Sequence, residues 1–382
     1  MAIRIGVVGV GFGTQVQIPG FQSEGYEVVA VCARREERAR EAAARFAIPH
    51  VYTDITQLLK HPGLDAVSIV TPPHLHHQMG LAALQAGKHV LLEKPFALNV
   101  KEAWDLFAES KRRPGQAAMV GHEFRFAPPR AYIKELISQG YLGTLNVAEL
   151  SLLMGMPMRP AAAQQAREAP GVRALADPPP LPPWGPAADL DMGGGLHKAL
   201  GSHYIDCLRD WFGDVNGVSA RLVTNNPDRL DVATGQIRKA TADDSFAFTL
   251  TSAKGGWATM TASFGAHYGP GARLELFGTQ GTLTTSHQGP NPTSFDKVLS
   301  GQRGGNGLLE NAVPERHQAP ADERDHRLPS FRILARRFER GIQTGTSPEP
   351  NFLDGFRSQQ VLDGMLESHR TGRFVPIDLG QD

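Results

Sequence analysis

Short apolar runs alternate with amphipathic stretches over about the first 120 residues. Ile3 to Val8 is an apolar run that ends in glycines, which predicts a buried strand. Glu27 to Ala33, Leu64 to Thr71, His89 to Leu92 and Ala117 to Val120 predict further strands of the same kind. Between them, Glu36 to Phe46 is rich in helix formers and opens with acids. Asp54 is placed to cap a short helix through Lys60, and Asn99 to cap one running to Arg112. Pro73 to Ala86 predicts a helix stopped by Gly87. Repeated β-α-β units of this length imply a doubly wound parallel sheet with right-handed crossovers.

After Gly121 the pattern changes. Ala131 to Gln139 predicts a helix and Leu145 to Leu153 a strand. Residues 157–186 are rich in proline, alanine and arginine, which predicts a loop or lid. A glycine run and a helix follow from Gly193 to Phe212. Val215 to Thr224, Ser245 to Ser252, Trp257 to Phe264 and Arg273 to Phe277 read as strands joined by tight turns, which describes a largely antiparallel sheet. Residues 287–329 are polar with little periodicity and read as a long loop; Ser330 to Gly341 and Asp354 to His369 close the chain as helices.

Composition narrows the function classes. Lys+Arg and Asp+Glu both number 39 in 382 residues, so no net field draws the chain toward nucleic acid or an anionic membrane. Cys32 and Cys207 lie far apart, one on a predicted strand and one on a predicted helix, which argues against a disulfide framework. Met1-Ala2 leads into the first strand with no apolar signal core, and no apolar stretch approaches the roughly 18–20 residues of a membrane span. The expectation is a cytoplasmic protein with a small-molecule partner.

Candidate chemistry lies at the ends of the predicted strands. Gly9-Val10-Gly11-Phe12-Gly13-Thr14 follows the first strand: Gly9 permits a tight turn, Gly11 a close backbone approach to a pyrophosphate, and the next helix presents free amides. The usual third glycine falls at Thr14, with Gly13 one place early. An NAD site places an acid about twenty residues further on, whereas here the second strand ends Ala33-Arg34-Arg35. A small residue followed by arginines leaves room and charge for a 2′-phosphate, so NADP is expected over NAD, with Arg34 as its partner and Arg35 and Arg38 as helpers. Glu93-Lys94-Pro95 ends an apolar run and puts a lysine at the carboxyl edge of a buried strand, where open α/β sheets bind ligands. His74, His76 and His77 are poorly spaced for one helical face and lack a cysteine or carboxylate companion, so no metal is expected. Arg125 and Glu123 are expected to tie two domains together.

These motifs together resemble the Gfo/Idh/MocA family of oxidoreductases. The likeness rests on the glycine turn, on Ser68-Ile69-Val70-Thr71-Pro72-Pro73-His74-Leu75-His76 and on Ala86 through Pro95. It continues through His122-Glu123-Phe124-Arg125-Phe126, Gly193-Gly194-Gly195, Gly201 through Asp206, and Asn351 through Phe356. The resemblance implies a Rossmann domain (residues 1–122) and an α/β domain with an open, mostly antiparallel sheet that binds substrate and makes homodimers or homotetramers (residues 123–382). It implies that Thr71, Pro72 and His76 lie along the nicotinamide half of the cofactor with Glu93 and Lys94, that Lys94 is catalytic, and that His203 is a second catalytic residue that contacts substrate and acts in proton transfer. It also implies that the peptide before Pro95 is often cis. One departure stands out: the aspartate of the family's Asp-x-Gly-x-His pattern is Ala199 here, four residues before His203, so it cannot orient that histidine. The expected activity is hydride transfer between the cofactor and a secondary alcohol or ketone of a sugar, polyol or cyclitol. The alternative is a sensor or co-repressor that binds dinucleotide without turnover.

Overall fold

The computed structural model describes residues 2–155, 181–289, 296–318 and 322–380. Most of the expected lid at 157–186 therefore lies outside the described residues.

Six strands form the first sheet: β1 (Arg4–Val8), β2 (Glu27–Cys32), β3 (His50–Tyr52), β4 (Ala66–Ile69), β5 (His89–Leu92) and β6 (Ala118–Val120). Their order is β3-β2-β1-β4-β5-β6 and every pairing is parallel. The chain reverses its direction of travel between β1 and β4, and the crevice at such a switch point is where these sheets bind ligands. Asp54 and Asn99 cap their helices as expected, accepting from the amides of Thr56 and Glu102.

The second sheet has nine strands: β7 (Leu145–Leu153), β8 (Val215–Val223), β11 (Ser245–Ser252), β12 (Trp257–Ser263), β13 (Gly271–Gly278), β14 (Gly281–His287), β15 (Val298–Gln302), β16 (Leu309–Asn311) and β17 (Val375–Pro376), while β9 (Asp228–Leu230) and β10 (Ile237–Lys239) form a separate hairpin. Of its pairings only that of β7 with β12 is parallel. One face buries Leu150, Phe248, Leu250, Met260 and Leu274 in a core shared with the helix Ser202–Phe212. The opposite face presents Glu149, Thr249, Thr261 and Arg273 outward, the alternation of a sheet covered on one side. Residues 287–329 are not one long loop: β15 and β16 add to the sheet edge beyond β14. The inward positions of β15 are Val298 and Ser300, and of β14 Leu283, Thr285 and His287. Polar residues on the buried side hide the period-two signal.

The last two helices return to the first sheet. Leu328–Thr344 buries Leu328, Phe331, Leu334, Ala335 and Phe338 against the core around β1 and β2, with Phe331 edge-on to Phe21 at 5.2 Å. Phe352–Thr371, opened by a capping box at Asn351 and Asp354, places Phe352 and Phe356 on the other side. A Cβ on Gly355 would stand 2.6 Å from the Phe96 ring, so this helix crosses the segment after Lys94 at a distance only glycine allows.

A buried ion cluster joins the two halves. Arg125, after β6, donates to both oxygens of Asp206 (2.6 and 2.7 Å), to Asp210 (2.9 Å) and to Asp354 (3.0 Å). Burial works against its charge, yet Asp206 and Asp354 hold its pKa well above the ordinary value. Removing one member of such a cluster leaves the others charged and unpaired. Arg125→Ala is expected to cost about 3–5 kcal/mol in urea unfolding; a loss under about 1 kcal/mol, the range of an exposed pair, would contradict this role.

Candidate active site

Gly9 leaves β1 at φ +112°, and a Cβ there would overlap the Val70 carbonyl oxygen. Gly11 differs: a Cβ on it would meet nothing within 4 Å, so the space above the turn is open for a ligand. Gly13 packs toward Val7, and the Thr14 hydroxyl bonds back to the carbonyls of Val10 (3.1 Å) and Gly11 (3.0 Å), closing the turn without a third glycine. The Arg327 guanidinium, from just before the helix Leu328–Thr344, lies 4.8 Å from the Phe12 ring centroid. These features fit a dinucleotide whose pyrophosphate rests on Gly11 and the helix that follows.

Ala33 directly follows β2 and is half-buried, and Arg34, Arg35 and Arg38 are exposed. None of the three arginines makes a side-chain hydrogen bond or ion pair among the described residues, whereas their neighbour Arg40 bonds Glu36.

Lys94 follows β5, its peptide to Pro95 is cis, and its Nζ crosses to the other domain to donate to the Ala199 carbonyl at 3.0 Å. Ala199 sits in the turn His197–Gly201, which has π-helical rather than α-helical hydrogen bonding. The expected aspartate side chain is absent there, and a main-chain oxygen of the same residue receives the lysine.

The other expected residues surround this contact in different ways. Thr71 and Pro72 are half-buried after β4. His76 is fully buried, with Nδ1 2.9 Å from the Pro95 carbonyl and Nε2 2.8 Å from that of Thr71. The neutral ring has one N–H, which donates to one of these carbonyls according to the tautomer, and the ring packs between the two loops with both nitrogens turned to backbone. Burial pushes its pKa down to about 4, against the pull of those carbonyls. His203 is buried and stacks on Phe124, ring centroids 3.7 Å apart, with its Nδ1 unpartnered. Burial, then Lys94 and His122, push its pKa well below the ordinary value, so it is neutral at pH 7. His197 is drawn elsewhere, its Nδ1 2.5 Å from Asp243.

Tertiary approach adds residues with no local motif. Gln17 donates to Glu93 Oε1 at 2.6 Å and accepts from Ser68, while Glu93 Oε2 accepts from the Lys94 amide at 3.1 Å. His122 packs edge-on to His203 at 5.6 Å. Glu123, expected with Arg125 as a domain tie, is buried with its Oε2 unpartnered; only Arg125 makes the tie. A cavity of about 330 Å³ lined by Arg125, Lys134, Glu135, Arg316 and Arg337 lies elsewhere, between the helices Pro128–Ser138 and Leu328–Thr344. No group of three or more His, Cys, Asp or Glu is placed to hold a metal among the described residues, and Cys32 and Cys207 are free thiols. No helix among them is long and apolar enough to cross a membrane.

The sign of the His76 shift sets a pH test. Its folded pKa lies below the ordinary 6.5, so the unfolded chain binds the extra proton between the two values. Its stabilising share is complete above pH 6.5 and is lost as pH falls toward 4. The stability advantage of the natural protein over His76→Gln should therefore shrink by about 1.4 kcal/mol per pH unit across that window. A difference independent of pH in denaturant titrations would contradict a buried neutral ring.

Comparisons with known proteins identify the family and the fold. Residues 3–122 match the family model described as "Oxidoreductase family, NAD-binding Rossmann fold", and residues 131–284 match the GFO/IDH/MocA C-terminal domain. An uncharacterized oxidoreductase of Synechocystis is 30% identical, the match covering 98% of this chain and 96% of the relative. Human glucose-fructose oxidoreductase domain-containing protein 2 is 26% identical over 98% of this chain and 93% of its own. Among solved structures, levoglucosan dehydrogenase in complex with NADH superposes with a TM-score of 0.83 at 22% identity, covering 99% of this chain and 100% of that one. With the two-sheet fold and the strand-end lysine, these matches establish that the chain belongs to the Gfo/Idh/MocA family of NAD(P)-dependent oxidoreductases.

Proposed function

We propose that the protein is an NADP-dependent dehydrogenase or reductase acting on a secondary alcohol or ketone of a sugar, polyol or cyclitol. The observation that carries this reading is the Lys94 ammonium, half-buried between the domains with one hydrogen bond, to Ala199 O, among the described residues. An ammonium has three donors, so Lys94 keeps capacity for a substrate oxygen.

Gly9, Gly11, Phe12, Gly13 and Thr14 would hold the pyrophosphate, and Thr71, Pro72, Glu93 and Lys94 would line the nicotinamide end, with His76 behind them as the brace. When bound, the cofactor supplies or accepts the hydride. Lys94 Nζ donates to the reacting oxygen, stabilises its alkoxide character, and takes or returns its proton. His203 is neutral and positions substrate or accepts a proton; it holds none to give at pH 7. With Ala199 in place of the aspartate, no carboxylate among the described residues raises the basicity of His203, and proton transfer rests on Lys94.

The sugar-like substrate class draws on the family and on relatives whose solved complexes contain levoglucosan and L-sorbose. NADP draws on Ala33 and on the charges of Arg34 and Arg38, which have no ion-pair partner among the described residues, with Arg35 beside them. A homodimer or homotetramer and a cytoplasmic setting belong to the same reading.

Single-turnover oxidation of NADPH over a panel of keto-sugars tests the activity. Lys94→Ala should lower the rate on the order of 10²–10⁴-fold while cofactor binding persists; full activity in that variant would remove Lys94 from the chemistry. Tight cofactor binding with no oxidation across the panel would favour the sensor alternative. Arg34→Ala with Arg38→Ala should weaken NADP binding about 10- to 100-fold and leave NAD binding unchanged, the scale of lost charge-assisted hydrogen bonds. Equal effects on both cofactors would contradict the 2′-phosphate assignment.

A further inference from the structure

Residues 322–327, far from the phosphate turn in sequence, lie along the chain that follows it. Arg324 donates to Ser23 Oγ at 2.9 Å and Arg327 to Gln15 Oε1 at 3.2 Å. Arg327 is held in one pose. Its Nε and Nη2 donate side-on to Asp325 at 2.8 and 2.6 Å, and its guanidinium carbon stands 4.8 Å from the centroid of the Phe12 ring. The third nitrogen, Nη1, makes no hydrogen bond among the described residues. A guanidinium has five N–H donors, two of them on Nη1. One edge of the side chain is therefore fixed by Asp325, and two donors remain on another.

Phe12 stands in the phosphate turn itself, between Gly11 and Gly13, and the space above Gly11 is open to 4 Å. The charge of Arg327 also favours the ionised forms of Glu93 and Glu123, which follow β5 and β6. The guanidinium thus lies on the side of the turn that faces the end of β5, along the course a dinucleotide takes from its pyrophosphate to its nicotinamide. None of residues 9–14 is basic, so the turn supplies no side-chain cation of its own. Helix stability does not explain the arginine. Arg327 is the N-cap residue of Leu328–Thr344, where the helix dipole disfavours a cation. An ion pair with Asp325 two residues away would serve equally well on any exposed turn.

We propose that Arg327 clasps the dinucleotide, its Nη1 donating to an oxygen of the nicotinamide-side phosphate, with the Phe12 ring as the shelf beside the guanidinium and Asp325 as the residue that aims it. The inference rests on the dinucleotide reading above and deepens it. It holds for NADP and NAD alike, because the pyrophosphate is common to both. The bond is charge-assisted, and the planar guanidinium meets phosphate oxygens in a geometry that a lysine ammonium does not reproduce. Arg327 is a cofactor-binding residue in this account, and Asp325 is a positioning residue that acts through it. The stretch before the helix Leu328–Thr344 then closes over a cofactor that the first sheet binds from below.

Calorimetric titration with cofactor fragments tests the clasp. Arg327→Gln should weaken NADP⁺, NADPH and 2′-phospho-ADP-ribose alike, by about 10- to 100-fold, the scale of a hydrogen bond between charged groups. Adenosine 2′,5′-bisphosphate lacks the nicotinamide-side phosphate, and its affinities for the natural protein and the variant should agree within about 2-fold. Equal losses for all four ligands overturn the proposal, because the substitution then disturbs the turn as a whole. Unchanged binding of all four overturns it too. Arg327→Lys keeps the charge and loses the planar fork; its loss of about 3- to 10-fold should fall on the same three ligands, so the pattern is readable even where Arg327→Gln is too unstable to titrate. The series NAD⁺, ADP-ribose and AMP makes the same comparison if the 2′-phosphate assignment fails. Failure of the natural protein to bind either dinucleotide overturns the dinucleotide reading and the clasp with it, whereas dinucleotide binding untouched by Arg327→Gln overturns the clasp alone.

Discussion

One ammonium group held across a domain boundary by a single main-chain oxygen organises the candidate site. The Lys94 backbone belongs to the parallel sheet and its Nζ bonds Ala199 O in the other domain. Separate pieces of structure fix where that lysine begins. The Glu93 amide bonds the Ile69 carbonyl, continuing the pairing of β5 with β4. His76 braces the Pro95 carbonyl from the Thr71 side, and Gly355 lets the helix Phe352–Thr371 press on Phe96. With its base held this way, the freedom left to the lysine lies in its side chain, where proton transfer would use it.

The same packing sets the charge states nearby. Arg125 and its carboxylates tie the two halves together through buried ion pairs. In that environment uncharged forms are favoured unless a partner is close. His76, His122 and His203 respond alike, with burial driving each toward the neutral ring. Asp354 goes the other way: burial opposes its charge, but Arg125 and Arg209 hold its pKa at about 2. The described residues around Lys94 thus combine neutral imidazoles with a lysine whose Nζ makes one hydrogen bond.

The parallel sheet, its switch point and the strand-end lysine were legible in the sequence because each depends on local signals: apolar runs, a glycine turn and one tripeptide. The second sheet was legible where alternation was clean, as in Ser245–Ser252, and not where serine, threonine or histidine faces inward, as in β14 and β15. The spacing of Ala199 and His203 suggested a shared α-helical face, but the π-helical turn there brings the Ala199 carbonyl, not a side chain, to the lysine. Gln17 and Arg327 had no signal at all, since they approach Glu93 from 76 and 234 residues away along a chain whose folding alone brings them together. Glu123 stood inside a recognised motif, and only the missing partner of its buried oxygen distinguishes it from Arg125 two residues on.

The central claim is that substrate oxygen and nicotinamide meet at Lys94. A crystal structure of the protein with NADP⁺ and a bound polyol tests it directly. The account predicts the 2′-phosphate against Arg34, the nicotinamide ring beside Thr71 and Pro72, and a substrate hydroxyl within hydrogen-bond reach of Lys94 Nζ. A nicotinamide placed away from the end of β5, or a substrate whose reacting oxygen is held by other groups while Lys94 bonds only Ala199 O, would contradict it.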